Sequence, residues 1–313
     1  MEYIVAGYNM LTDIYYADGS RRLNSPGGSF YAASGIRFWR ESVAYVGTAG
    51  PDFDRWYGDW FRANGIDCRV TACLPHTLKY TLEYRPDGIW SERCLYGDDY
   101  EAMAKDLGRI TPEMLAACVG PETRGIYLEA SLSARIADAF PSVKALIPKG
   151  VLLWEINGDD LRDAASRKAI ESRIAQVDAI SMNLDEAAAF FGTREEDRIL
   201  RGLQALGKPC FLRLGEKGAG FVTAETIVFA PAIGVEKSVD PTGCGNCSTA
   251  ATLAGLCEGL SLEETTAMAN LAASYCARQN GPWPCVTDAT AEAARRELAA
   301  YREKTEFVYG RLL

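Results

Sequence analysis

The segment Val239-Asp240-Pro241-Thr242-Gly243-Cys244-Gly245-Asn246-Cys247-Ser248 sets small residues ahead of an alanine-rich apolar run that reaches Leu256. Glycine has no Cβ, so successive N–H groups at such a turn can converge on an anion, and a helix starting there adds its positive dipole end. Each charge met by a helix start is stabilised by roughly 0.3 to 1 kcal/mol, more when partly buried. Gly243, Cys244 and Gly245 therefore read as a phosphate cradle; the plainer alternative is a glycine-rich loop that only caps a helix. Cys244 and Cys247 also form a C-x-x-C pair, and such a dithiol at a helix start can have a depressed pKa. That spacing keeps a redox reading open beside the anion-binding one.

The elements that must hold this loop are legible as alternation. Strand-like runs at Tyr3–Gly7, Ser42–Val46, Gly125–Leu128, Val151–Trp154, Ala179–Met182 and Cys210–Leu214 alternate with helical patterns such as 29–40, 55–64 and 160–176. That order predicts an α/β chain with a mostly parallel sheet covered on both faces. Phe221-Val222 and Thr226–Phe229 predict a late hairpin. Two segments break the rhythm, about 13–25 around Ala17-Asp18-Gly19 and about 68–97 around Pro86-Asp87-Gly88, and turn residues between short alternating runs predict a small β lid. Ser261-Leu262-Glu263-Glu264 has capping-box spacing, followed by a helix over about 262–279 that Gly281-Pro282 stops.

Composition excludes several function classes. A single histidine, His76, leaves a Ser-His-Asp triad or a His-rich metal centre with one residue to build on. The formal charge of −9 argues against nucleic acid as a partner, which needs a basic face. No run approaches the roughly 20 apolar residues of a membrane span, and Met1–Val5 enters a strand-like run without a basic leader, so a soluble cytoplasmic protein is expected. Ten scattered cysteines then read as reduced thiols rather than a disulfide frame. At 313 residues, 48% of them hydrophobic, the chain can form one large α/β domain, taken here as 1–313 with two lid insertions.

The 240–247 segment resembles the Asp-Thr-x-Gly-Ala-Gly-Asp signature of the ribokinase-like (PfkB) carbohydrate and nucleoside kinases. Further matches follow in family order: Pro26-Gly27-Gly28-Ser29, Gly47-Thr48-Ala49-Gly50-Pro51-Asp52, Asn64-Gly65-Ile66-Asp67, Asn183-Leu184-Asp185-Glu186, Gly215-Glu216-Lys217-Gly218 and Ala269-Asn270. The resemblance implies a three-layer αβα fold whose β lid closes over the substrate and often forms the dimer interface. It implies transfer of the γ-phosphoryl of ATP, with Mg2+, to a primary hydroxyl of a sugar or sugar derivative. Nucleosides are a further acceptor class, and Asn280-Gly281-Pro282-Trp283 is faintly similar to the tail of fructosamine-type kinases.

Site residues follow from the same resemblance. Asp13 would accept hydrogen bonds from sugar hydroxyls, although it could also be a turn or cap residue, and Gly27 and Gly28 would let substrate approach the backbone. Asn183, Arg213, Gly215, Gly218 and Asn270 would line the nucleotide. Glu186 would hold magnesium through water, or else simply start a helix, and Glu155 is a second acid near the metal. A monovalent cation could sit near Asp240, which otherwise fixes the loop or acts as a base. Three positions depart from the family. Asn246 stands at the base position, Ala32 stands where an Asn usually follows the Gly-Gly pair, and Arg213 replaces a frequent Thr. An amide cannot accept a proton near neutral pH, and losing a base typically costs about 10² to 10⁴ in rate. Impaired turnover is therefore expected, and a catalytically silent nucleotide- or sugar-binding sensor is the alternative.

Overall fold

The computed structural model describes residues 1–86 and 90–313. Its strands are β1 (Tyr3–Ala6), β2 (Asn9–Tyr15), β3 (Arg21–Gly28), β4 (Val43–Ala49), β5 (Asp67–Ala72), β6 (Leu78–Tyr84), β7 (Trp90–Cys94), β8 (Gly125–Ala130), β9 (Val151–Ile156), β10 (Ala179–Asn183), β11 (Cys210–Arg213), β12 (Gly218–Val222), β13 (Ile227–Pro231) and β14 (Val308–Tyr309). The main sheet runs β14-β13-β12-β11-β10-β9-β8-β1-β4-β5 and a second sheet runs β3-β2-β6-β7. From β11 to β5 every neighbouring pair is parallel; β12, β13 and β14 add antiparallel strands at the other edge.

Successive side chains on a strand point to opposite faces, and here both faces are apolar. Ile4, Ile126, Leu128, Leu152, Trp154 and Met182 join one core cluster, and Tyr3, Val5, Tyr127 and Leu153 join the other. Helices cover each face, which gives the three αβα layers expected. The helix at Cys244–Cys257, built mostly of small residues, lies between the helices at Phe30–Arg37 and Leu262–Ala277, with residues 247–255 buried. Its small residues permit this closeness: a Cβ on Gly35 would stand 2.0 Å from the Cys247 carbonyl oxygen. The predicted capping box is present, Ser261 Oγ accepting from Glu264 N at 3.2 Å and Glu264 Oε2 from Ser261 N at 3.1 Å.

Several boundaries differ from expectation. The lid is β3-β2-β6-β7 and begins at Asn9, whereas β5, inside the 68–97 segment, pairs parallel with β4 in the main sheet. The Ala17-Asp18-Gly19 turn joins β2 to β3, with Asp18 Oδ1 accepting from Ser20 N at 2.8 Å. Asp87 and Gly88 of the expected Pro86-Asp87-Gly88 turn, and Ile89 after it, lie outside the described residues. The 160–176 helix is two helices, Gly158–Arg162 and Arg167–Ile174. Asp163 breaks it, since its carboxylate accepts from Ala165 N at 3.0 Å and Ser166 Oγ at 2.7 Å in place of a continued helix.

Candidate active site

Parallel pairing brings four polar strand ends side by side. Glu129 of β8 stands opposite Glu155 of β9, Glu155 opposite Ser181 of β10, and Asn183 opposite Arg213 of β11. Glu129 shares a face with Tyr127, two residues before it, and Tyr127 packs in the cluster that holds Ala250 and Leu253. The row therefore lies beneath the helix that starts at Cys244. Glu129 was not singled out in the sequence; an acid following Gly125-Ile126-Tyr127-Leu128 at a strand end was the available signal.

Charge in this row is uneven. Arg213 Nη2 lies 2.7 Å from Glu155 Oε1 and 3.5 Å from Glu186 Oε2, and all three side chains are nearly buried. Burial works against the guanidinium's charge, but Glu155 and Glu186 outweigh it and keep Arg213 protonated. Burial pushes Glu155 above the usual carboxylate range, against the pull of Arg213. Glu129 is pushed up to about 8 by burial and then by the charge of Glu155. Glu129 Oε2, Glu155 Oε2 and Arg213 Nε have no hydrogen-bond partner among the described residues. Buried polar atoms are seldom left unpaired; others in this chain, such as Trp39 Nε1 and Thr266 Oγ1, also lack a partner, but these three belong to neighbouring strand ends of one row.

The glycine loop stands over the row. Gly243 has φ 81°, and a Cβ there would fall 2.1 Å from the ring of Tyr31. Only glycine meets both conditions. Among the expected donors, Thr242 N bonds Asp240 Oδ1 at 2.9 Å, Cys244 N bonds the Pro241 carbonyl at 3.1 Å, and Cys247 N bonds the Gly243 carbonyl at 2.9 Å. The N–H groups of Gly243, Gly245 and Asn246 find no acceptor among the described residues. Cys244 thus supplies no free donor, a correction to its place in the cradle, because the turn that starts the helix uses its amide. Asn246 Nδ2 donates to Tyr127 Oη at 3.1 Å.

The C-x-x-C thiols face inward. Cys244 Sγ lies 3.5 Å from the Ala273 carbonyl and Cys247 Sγ 3.4 Å from that of Ala272. The neighbouring Cys276 thiol and burial hold the Cys244 thiol far above its usual range, opposite to what a redox dithiol needs.

The lid closes on the loop. Tyr16 Oη donates to Asp240 Oδ2 at 2.9 Å, and Tyr84 Oη and Thr242 Oγ1 share a hydrogen bond at 3.3 Å. Their rings stack, 5.8 Å between centroids. Asp240 therefore ties loop to lid. Asp13 lies within β2, not at the end of the first strand, and its carboxylate is taken up by Lys79 Nζ at 2.9 Å and Asn24 N at 2.8 Å. Gly27 and Gly28 press on β2 and the residue before it: a Cβ on Gly28 would come 2.5 Å from the Tyr8 carbonyl oxygen and one on Gly27 2.8 Å from Met10 Cγ. Ala32 is fully buried in the core, so its side chain is no substrate contact.

Among the residues expected to line a nucleotide or metal, Asn183 and Glu186 form a capping box for the helix at Leu184–Phe191, with Asn183 Oδ1 accepting from Glu186 N at 2.8 Å and Glu186 Oε2 from Asn183 N at 2.7 Å. Asn270 Nδ2 donates to the carbonyls of Ala230 at 3.0 Å and Pro231 at 3.1 Å, which binds its helix to β13. Gly218 is required by backbone contact, a Cβ falling 2.2 Å from the Ala230 oxygen, whereas Gly215, φ 64°, has open space around it. A cleft of about 360 Å³ lies by Gly234, Leu271 and Ala300. A larger one of about 800 Å³ opens between the lid, at Met10, Tyr80 and Glu92, and the strand ends, at Ser131, Asn157 and Asp185.

Glu155 and Glu186 fit a resident magnesium ion poorly. Arg213 already bridges them, and a divalent cation between them would meet the guanidinium. Among the described residues no group of three or more His, Cys, Asp or Glu side chains could hold a metal ion. No helix among them is long and apolar enough to cross a membrane.

Layers, lid and strand-end loop together define a ribokinase-type fold. The structure is similar over 95% of this chain and 99% of that one to an adenosine kinase from Sinorhizobium meliloti, with 23% identity and a TM-score of 0.76. A probable sugar kinase from Rhizobium etli matches with 20% identity, 95% and 98% coverage and a TM-score of 0.75. A ribokinase II from E. coli, solved with ATP and Mg2+, matches with 17% identity, 95% and 99% coverage and a TM-score of 0.72. Residues 156–289, from the end of β9 through the glycine loop and the helix after it, match the sequence model of the pfkB family carbohydrate kinases.

Proposed function

We propose that this protein transfers the γ-phosphoryl group of ATP to a hydroxyl of a small sugar-like acceptor, with Glu129 as the proton acceptor that Asn246 cannot be. The observation that carries this reading is the open set of polar groups on one spot: the N–H groups of Gly243, Gly245 and Asn246 above, and the unpartnered oxygens of Glu129 and Glu155 below. The amides would hold the phosphate whose charge shifts during transfer. The acceptor's O–H proton passes to Glu129, the new O–P bond forms, the bridging P–O bond of ATP breaks, and ADP leaves. Magnesium enters this scheme only as the partner of the nucleotide's own phosphates.

The large cleft is lined by five carboxylates, Glu92, Glu101, Asp159, Asp160 and Asp185, against three cations, Arg93, Lys105 and Arg162. That balance favours an amine-bearing sugar derivative over a phosphorylated or acidic one. ADP release measured over neutral sugars, fructosamine-type sugar amines and nucleosides is the test. Turnover with the amines and its loss in Glu129→Gln are expected; no turnover with any acceptor would sink the reading.

The amide at position 246 and the committed carboxylates Glu155 and Glu186 support a second reading, a silent nucleotide- or sugar-binding protein. Calorimetric binding without transfer, and turnover appearing only in Asn246→Asp, would favour it.

A further inference from the structure

We infer that Arg213 is a built-in cation for the nucleotide phosphates, so that this site binds nucleotide without a divalent metal. The inference rests on the nucleotide reading above and goes beyond it by removing the ion such a site is expected to need. Three contacts place the guanidinium. Nη2 is held by Glu155 Oε1 at 2.7 Å and Glu186 Oε2 at 3.5 Å. Nη1 lies against the first turn of the helix that begins at Cys244, where a Cβ on Gly245 would come within 2.3 Å of it. Nε is buried without a partner.

A guanidinium presents its donors as a rigid fork, so when one side is fixed on carboxylates the other has a fixed direction. Here that other side shares the helix start with the unpaired N–H groups of Gly245 and Asn246. An anionic oxygen placed there meets backbone donors and a permanent positive charge together. The two acids do for Arg213 what they would otherwise do for a metal: they hold a cation in place. Gly245 completes the arrangement, since any side chain at that position would displace the guanidinium. A purely structural arginine, present only to neutralise buried acids, would not need an open edge toward an open helix start.

The test is calorimetry of ADP binding to the full chain, once with excess EDTA and once with excess Mg2+. The expected result is equal affinity in the two conditions, within about twofold. Arg213→Thr should weaken ADP binding in EDTA by about 10- to 100-fold, the effect of removing a charge-assisted contact, and Mg2+ should restore part of the loss. Arg213→Lys, which keeps the charge but not the fork, should fall between the two. ADP binding by the wild-type chain only when Mg2+ is present would overturn this inference and leave the nucleotide reading standing. So would unchanged binding by Arg213→Thr in EDTA. Absence of ADP binding in both conditions overturns both. Should Arg213→Thr fail to fold by circular dichroism, the wild-type comparison and Arg213→Lys decide.

Discussion

The strand-end floor of the site and the β lid above it are both rich in polar side chains, but several of the lid's are closed on one another while a group of the floor's is left open. In the lid, Asp13, Lys79 and Asn24 satisfy each other, and Tyr16 and Tyr84 are bonded to the glycine loop; among the described residues of the lid, Ser25 Oγ is a buried atom without a partner. In the floor, Glu129, Glu155 and Arg213 keep unpartnered atoms beneath a helix start whose first amides are also free. Burying a polar atom without a partner costs about 1 to 3 kcal/mol, so an open floor is stable only because the fold imposes it. The contrast teaches that the groups left open for phosphate and proton transfer lie in the floor, while the lid ties itself to the loop and lines the acceptor cleft with Glu92 and Arg93.

Substitutions can break that contrast. Glu129→Gln, in the floor, should lower turnover by about 10² to 10⁴ while ADP still binds, as measured by steady-state rates beside calorimetry. Gly243→Ala combines a positive φ with a collision against Tyr31, and should cost about 3 kcal/mol in denaturant unfolding together with nucleotide binding. Gly215→Ala, also at positive φ but with open space, should cost only about 1 kcal/mol. Asp13→Asn, in the lid, strands Lys79 and should cost about 2 kcal/mol of stability with kcat nearly unchanged. A large fall in kcat would return Asp13 to the site. Tyr16→Phe removes one lid bond and should raise KM with a stability loss of about 1 kcal/mol.

The fold was legible because strands and helices alternate and because glycines sit where φ must be positive. Gly243 and the Ser261-Glu264 capping box are where the sequence placed them, and the hairpin after β11 is present. Less legible was what each polar residue is paired with, because pairing is set by distant chain. Glu186 lies three residues after Asn183, and the capping box between them is local; its approach to Arg213 depends on two neighbouring strands. Asp13 reads in sequence as an acceptor for sugar hydroxyls or a turn residue, and it is bound to Lys79 across the lid sheet. Glu129 went unnoticed because only register with β9 and the helix above it gives an acid at that strand end any significance. Cys244 and Cys247 looked like a motif, and helix packing turns both thiols inward.

The rate of phosphoryl transfer against pH tests the central claim most directly. Glu129 is held near 8, above the ordinary carboxylate value near 4.5, so it is protonated in the folded chain and ionised in the unfolded one across that interval. Folding stability is then full below about pH 4.5 and falls as pH rises through about 8. The base form becomes available over the same climb. The account predicts a transfer rate that rises to a plateau above about pH 8 while the melting temperature declines, with both trends absent in Glu129→Gln. A rate that is flat across that range, or a Glu129→Gln variant that turns over as fast as the parent chain, would contradict it.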